Sequence, residues 1–99
     1  MTKKKSKNNR YERHHIVARG SSNTYVANSR KLLYEVDIGI NSSYNLVDIK
    51  YKLHRHLHTN AYYKAVYQFL KRVEGSYKKT VHVLNVIKKA LQAASKACP

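Results

Sequence analysis

The pattern of apolar and polar residues predicts three helices along the 99-residue chain. Apolar side chains recur at helical spacing over about residues 23–36, 51–74 and 80–96, so each segment would bury one face. Residues suited to capping or stopping a helix stand near the ends of these segments. The residues concerned are the candidate caps Ser22 and Asn23, the stop residues Gly39 and Gly75, and the apolar positions Tyr25, Val26, Leu32, Leu33, Val36, Tyr62, Val66, Phe69, Leu70, Val73, Val83, Leu84, Ile87, Leu91 and Ala94.

Two short segments rich in β-branched residues predict strands. Residues 14–18 read His-His-Ile-Val-Ala and run into a turn at Gly20, while residues 45–49 read Asn-Leu-Val-Asp-Ile. We expect Ile16 and Val17 to pair with the second segment in a two-stranded ribbon. A helix must cover this ribbon, because two strands alone are marginally stable. The predicted fold is therefore α+β and mainly helical, with a short two-stranded ribbon and additional packing helices.

The chain is strongly basic, with 20 Lys and Arg against 5 Asp and Glu and a formal net charge of +15. Such a surface attracts polyanions, because contacts to phosphates release counterions. Residues 1–10 are predicted to be a disordered basic arm, since they are rich in lysine and have no aliphatic residue after Met1. Residues 11–99 are then a single domain, large enough to bury roughly 60–70% of its unfolded surface.

Membrane insertion is not expected from the hydropathy of the chain. No segment approaches the ~18 to 20 apolar residues of a spanning helix, and no apolar stretch follows the basic N-terminus. We therefore expect no stable membrane insertion and no signal peptide. A membrane-active cationic toxin is also disfavoured, since the predicted helices carry tyrosine and small residues rather than a broad apolar stripe. The single cysteine, Cys98, has no partner for an internal disulfide.

The histidines are the candidate catalytic residues. His54 and His58 are four residues apart, so on one helix they would share a face and could bind the same metal ion. His14 and His15 are neighbours on a predicted strand, which sends their side chains to opposite faces. We expect one of this pair to be a third metal ligand and the other to be a base that removes a proton from water.

Several ordered motifs of the chain resemble those of a known family. The motifs are His14-His15-Ile16-Val17, Asp37-Ile38-Gly39-Ile40-Asn41, Asn45-Leu46-Val47, Leu53-His54 and Leu57-His58-Thr59-Asn60-Ala61-Tyr62-Tyr63. Together they span about residues 13–70 and resemble the AHH nucleases of the HNH/endonuclease VII superfamily, which are treble-clef or His-Me finger enzymes. The spacing from the asparagine to the two later histidines is also similar to that in the DNA-cleaving colicins. The chain departs from the family at Arg13, Ala18 and Leu46, where alanine, proline and glycine are usual.

The resemblance implies a ββα-metal core with one divalent ion, for which zinc, magnesium, manganese and nickel are the candidates. It implies that His14, His54 and His58 hold the ion and that His15 is the general base. Asn45 would hold the ribbon and help to orient the base. Nearby basic residues are expected to contact phosphate, namely Arg13, Arg19, Lys52 and Arg55.

The resemblance also implies a biological setting. The family typically occurs as the C-terminal toxin of bacterial polymorphic or contact-dependent systems. We therefore expect a secreted or delivered effector that cleaves DNA in the cytoplasm of a target bacterium, with RNA as the alternative substrate. An acidic cognate immunity protein is expected to neutralise the domain, which we predict to be monomeric.

A non-catalytic basic nucleic-acid-binding protein is the main rival to the nuclease hypothesis. In such a protein the histidines would hold a structural zinc ion or no ion. A closed structural zinc site needs four protein ligands, whereas the chain offers three plausible ones and a neighbouring histidine, which suits an open catalytic site better. His56, which would point away from His54 and His58, and the isolated His82 are expected to have no catalytic role.

Overall fold

A computed structural model describes residues 10–98 and has the predicted α+β, mainly helical architecture. The strands are β1 (Tyr11–His15) and β2 (Leu46–Lys50), the helices are α1 (Thr24–Glu35), α2 (Tyr51–Arg55), α3 (Asn60–Lys71) and α4 (Tyr77–Ala97), and a 3₁₀ turn covers Ser43–Asn45. The two strands form an antiparallel ribbon that leads directly into α2. Residues 1–9 of the predicted basic arm lie outside the described residues, and the carbonyl of its last residue, Arg10, accepts a hydrogen bond from Tyr51 N.

The ribbon pairs Tyr11 with Lys50 at one end and His15 with Leu46 at the other. The prediction that Ile16 and Val17 lie within the first strand was wrong, because β1 ends at His15. Ile16 and Val17 are 1% and 2% exposed. A regular strand sends neighbouring side chains to opposite faces, so two consecutive buried residues require the chain to turn into the core. The backbone amide of Ile16 still donates to the carbonyl of Asn45, directly before β2, at 2.8 Å, so this hydrogen bond and burial act together just beyond β1.

Helix α1 confirms the first predicted helix and its cap. The side-chain oxygen of Asn23 accepts hydrogen bonds from the backbone amides of Tyr25 at 2.8 Å and Val26 at 3.4 Å, which satisfies donors that the helix leaves unpaired. The chain leaves the helix through Asp37, whose φ of 61° lies in the left-handed region. Asp37 rather than Gly39 therefore makes the turn that ends this segment.

The predicted continuous helix over residues 51–74 was wrong, because it is broken into α2 and α3. Residues 56–59 connect the two, and the Thr59 hydroxyl caps α3 by accepting from Tyr62 N at 3.2 Å. Helical periodicity does not distinguish one long helix from two short ones when a capping residue lies between them. Helix α3 ends at Lys71, earlier than predicted, and Gly75, with a φ of 82°, lies in the turn before Ser76, which caps α4 at Tyr77.

The core lies between the ribbon and the three longer helices. Its fully buried residues include Leu33 of α1, Ile49 of β2, Leu70 of α3 and Leu84 of α4, each no more than 1% exposed. The backbone amide of Lys50 donates to the Ser95 hydroxyl at 2.7 Å, which ties the end of β2 to α4. Within residues 10–98 no helix combines the length and apolar character needed to cross a membrane.

Candidate functional site

Three histidines from different parts of the fold meet in one cleft. The ring centroid of His54, on α2, is 5.0 Å from that of His14, on β1, and 5.1 Å from that of His58. His14 and His58 are 6.3 Å apart by the same measure. His58 lies beyond the end of α2, so the expectation of one helical face was wrong. The turn after α2, in which Leu57 N donates to His54 O at 3.2 Å, brings His58 back beside His54.

The hydrogen bonds of His14 fix which of its ring nitrogens carries a proton. The Tyr62 hydroxyl donates its only proton to the carbonyl oxygen of Ile16 at 2.9 Å. The Nε2 of His14 lies 2.9 Å from the same hydroxyl and must therefore donate to it. The Nδ1 of His14 then keeps its lone pair, and this buried atom has no hydrogen-bond partner.

His14 is held neutral by its surroundings. Its side chain is only 2% exposed, and burial, helped by the nearby His54, His58 and His15, lowers its pKa to about 3. An imidazole with this pKa does not take a proton near neutral pH. His14 therefore offers a lone pair, which is the form that a metal ligand requires.

His54 is oriented by a carboxylate on the ribbon. Its Nδ1 lies 2.9 Å from Glu12 Oε1, and Arg10 Nη2 lies 2.8 Å from Glu12 Oε2. The hydrogen bond from His54, together with the charge of Arg10, lowers the pKa of Glu12. An ionised carboxylate only accepts, so Nδ1 of His54 donates and its Nε2 keeps the lone pair.

His58 is held by a neighbouring tyrosine. Its Nδ1 lies 3.2 Å from the Tyr63 hydroxyl, and its Nε2 takes no part in this hydrogen bond.

His15 lines the same cleft as His14, His54 and His58 but has a different hydrogen-bond partner. Its Nε2 lies 2.8 Å from Oδ1 of Asn41, in the segment between α1 and the 3₁₀ turn. An amide oxygen only accepts, so Nε2 of His15 donates and Nδ1 keeps its lone pair. Asn41 thus selects the tautomer in which Nδ1 of His15 is the basic nitrogen.

Asn45 joins the end of the ribbon to the segment that carries Asn41. Its side chain is fully buried and donates to the carbonyls of Val17 at 3.1 Å and Ile40 at 2.8 Å, while its Oδ1 accepts from Val17 N at 2.9 Å. Asn45 therefore ties the segment after β1 to the segment before the 3₁₀ turn. Its hydrogen bonds do not reach His15, so any orienting effect passes through Ile40 to its neighbour Asn41.

A family model described as a nuclease family of the HNH/ENDO VII superfamily with conserved AHH matches residues 1–97. The chain belongs to the AHH nuclease family. No curated protein and no solved structure matches it significantly. The paired histidines of the motif are His14 and His15, and Arg13 stands in the place of the alanine. The substrate of this AHH nuclease is accordingly a nucleic acid.

Nucleases of this superfamily generally use a divalent metal ion, and the chemistry of the histidine cluster fits one. Within the described part of the chain, no group of three His, Cys, Asp or Glu side chains is already arranged to hold an ion. The buried and unpartnered Nδ1 of His14 is nevertheless the kind of atom that a metal would satisfy. His54 and His58 each have one ring nitrogen engaged by the protein, as metal-binding histidines commonly do.

Only some of the predicted phosphate-binding residues lie at the histidine cleft of the AHH nuclease. The cleft has a volume of about 260 Å³, and Arg13 and Arg19 are among its lining residues. Arg55 lies outside this lining, with its guanidinium carbon 5.4 Å from the centre of the Tyr51 ring. Lys52, on α2, also lies outside the lining. His56 and His82 are exposed and do not line the cleft either.

Three residues with roles in the site were missed by sequence reasoning. Tyr62 was interpreted as a packing residue, Asn41 received no role, and Glu12 was not considered. Glu12 could have been found, because it precedes His14 by two positions and a strand places such residues on one face. The contacts of Tyr62 and Asn41 depend on how distant segments meet and have no local signal.

Proposed function

We propose that this AHH nuclease is a metal-dependent endonuclease that hydrolyses phosphodiester bonds of DNA. His15 is the proposed general base, and His14, His54 and His58 are the proposed ligands of one divalent ion. The observation that carries the proposal is that His14 and His15 have different hydrogen-bond environments. His14 is buried with an unpartnered Nδ1, whereas His15 is hydrogen-bonded so that its own Nδ1 can accept a proton.

The roles of the two adjacent histidines follow from their environments. A pKa of about 3 makes His14 a poor base at neutral pH but leaves its lone pair available there. The Nδ1 of His15 can accept a proton from an attacking water, and the Asn41 oxygen stabilises the resulting imidazolium through the hydrogen bond at Nε2. A divalent ion, when bound, would stabilise the charge on the phosphate and on the leaving oxygen. Arg13 and Arg19 supply positive charge at the same cleft.

DNA is the proposed substrate because the proposed base acts on water. A water nucleophile does not need the 2′-hydroxyl that distinguishes RNA from DNA. The spacing from Asn45 to His54 and His58, which is similar to that of the DNA-cleaving colicins, also favours DNA. The enzyme would then be able to cleave DNA, which a ribonuclease that uses the 2′-hydroxyl as its nucleophile cannot do.

The substrate and the metal requirement can be tested together. Purified protein is stripped of metal and then supplied separately with magnesium, manganese, nickel or zinc. Supercoiled plasmid and a structured RNA are offered in parallel. Nicking and linearisation of the plasmid with at least one ion, and none after chelation, is the expected result. Cleavage of RNA alone would replace the DNA proposal with a ribonuclease. Binding without cleavage of either substrate would favour the non-catalytic rival.

We also propose that the domain acts as a toxin in a target bacterium and that an acidic immunity protein neutralises it. The family resemblance and the net charge of +15 support this setting. Opposite charge would steer the two proteins together and make association fall with increasing salt. Expression in a bacterium should arrest growth, and the arrest should be lost in the His15→Ala variant. Equal growth arrest by both proteins would contradict a nuclease toxin.

A further inference from the structure

A second surface, which has its own set of lining residues, lies between α3 and α4. It is an apolar groove with a volume of about 310 Å³, and Phe69, Val83, Val86 and Ile87 are among its lining residues. Phe69 is 49% exposed and Val86 is 53% exposed, so two large apolar side chains that line the same groove are open to solvent. The groove and the cleft have no lining residue in common.

The two helices that form this groove are entirely basic in their charged residues. Neither α3 nor α4 contains an Asp or Glu, whereas together they contain seven lysines. The guanidinium carbon of Arg72, just after α3, lies 5.9 Å from the centre of the Phe69 ring at the edge of the groove. On α4, Lys79 precedes Val86 by two helical turns and Lys89 follows it by one turn. We call this combination of the apolar groove and its cationic edge, Arg72, Lys79 and Lys89, the α3–α4 groove.

We propose that the α3–α4 groove binds an acidic amphipathic helix of a partner protein. The lining residues of α4 extend from Val83 to Leu91, a rise of about 12 Å, which matches two turns of a docked helix. A helix that presents apolar residues at i, i+4 and i+7 would fill such a groove. Glutamates or aspartates on its flanks would then meet the cationic edge, which is the complementarity that selects this partner.

A second copy of the chain and a lipid surface are the two other candidate partners of the groove, and both fit it less well. A second copy of the chain would bring another molecule of charge +15 into contact, and its own α3 and α4 carry no carboxylates to offer. A lipid surface favours apolar side chains that project outward, whereas this apolar surface lines a groove. The charge of the edge and the concave shape therefore favour an acidic helix.

The proposal can be tested with synthetic helical peptides and the full chain. The probe is an 18-residue amphipathic peptide with leucines on one face and glutamates on its flanks. The comparison peptides replace the glutamates with lysines or scramble the order of residues. Fluorescence anisotropy should detect binding of the acidic amphipathic peptide alone, and binding should weaken as salt is raised.

A matched pair of variants locates the binding surface on α4. Val86→Asp places a carboxylate in the groove, while Asn85→Asp adds the same charge at an exposed neighbouring position that does not line it. We expect Val86→Asp to weaken peptide binding at least tenfold and Asn85→Asp to change it less than threefold. Circular dichroism checks that both variants remain folded.

Three results would overturn the proposal. The first is peptide binding that is equally strong in both variants. The second is self-association of the free protein that Val86→Asp abolishes, which would assign the groove to a second copy. The third is Val86-dependent binding to anionic phosphatidylglycerol vesicles without peptide binding. The His15→Ala variant should bind the peptide like the original chain, so failure here is distinct from failure of the nuclease mechanism.

Discussion

Asn41 shows how a single side chain can set the chemistry of the AHH motif. Its amide oxygen accepts from Nε2 of His15 at 2.8 Å and thereby leaves Nδ1 as the basic nitrogen. The histidine pair itself is visible in the sequence, because adjacent histidines are unusual and strand alternation separates their directions. The choice of tautomer was not predictable, since it depends on a contact across 26 positions of sequence.

Replacing Asn41 should change the pH dependence of cleavage. Asn41→Ala removes the acceptor for the His15 imidazolium and should reduce kcat by about 10- to 100-fold, in line with ~1.5–3 kcal/mol for a hydrogen bond to a charged group. Asn41→Asp retains an acceptor and adds a negative charge, which stabilises the protonated form of His15. The acidic limb of the kcat/KM profile should therefore move to higher pH in Asn41→Asp. The role of Asn41 would be contradicted if Asn41→Ala kept the original kcat and Asn41→Asp kept the original pH dependence of kcat/KM.

Tyr62 links the packing of α3 to the orientation of His14. Tyr62→Phe deletes the hydroxyl that accepts from His14 Nε2 and donates to Ile16 O, so the imidazole loses the bond that fixes its tautomer. We expect metal affinity to fall by about 10- to 100-fold, measured by competition with a chromophoric chelator. Tyr67→Phe, on the same helix, is the matched control and should leave metal affinity unchanged. Equal affinity in both variants would show that Tyr62 serves packing alone.

At the scale of elements, the sequence was more informative about helices than about their connections. The α1 segment and its Asn23 cap were predictable because the periodic apolar face and the capping residue agree. The break between α2 and α3 was not predicted, since periodicity continues across residues 56–59. His58 therefore lies beside His54 across a turn and not on a shared helical face.

The Thr59 cap should contribute measurably to stability. Thr59→Ala removes the oxygen that accepts from Tyr62 N and should lower the free energy of unfolding by about 1 kcal/mol, measured by urea denaturation. Thr24→Ala is a suitable control, because Thr24 is the exposed first residue of α1 and Asn23 is the cap there. Thr24→Ala should have little effect or stabilise slightly. An equal loss in both variants would mean that Thr59 is not a functional cap.

For the whole molecule, the charge of +15 predicted a polyanionic partner, and membership of a nuclease family agrees with it. Composition could not show where the charge is used. Arg13 and Arg19 line the histidine cleft, while Arg10 and Arg55 both lie over the ring of Tyr51. Nor could composition predict the α3–α4 groove, because Phe69 follows the same periodicity as the core residues of α3 and yet is 49% exposed.

The charges at the cleft should govern the salt dependence of DNA binding. Arg19→Gln removes one cation from the cleft and should reduce the slope of log K against log salt by about 1, as expected for one lost phosphate contact. Lys31→Gln makes the same change of charge on α1, beside Glu35 and Lys71 and away from the cleft. Its slope should remain close to that of the original chain. A reduction confined to Lys31→Gln would place the DNA on the surface around Lys31 instead of at the cleft.

The rate of DNA cleavage by His15→Ala tests the central claim most directly. Single-turnover cleavage of a radiolabelled duplex is measured under saturating metal, with metal affinity and DNA binding determined for the same samples. Loss of the general base should lower the cleavage rate by about 10²- to 10⁴-fold while both affinities are retained. Cleavage at the original rate by a folded, metal-loaded His15→Ala protein would contradict the proposed mechanism.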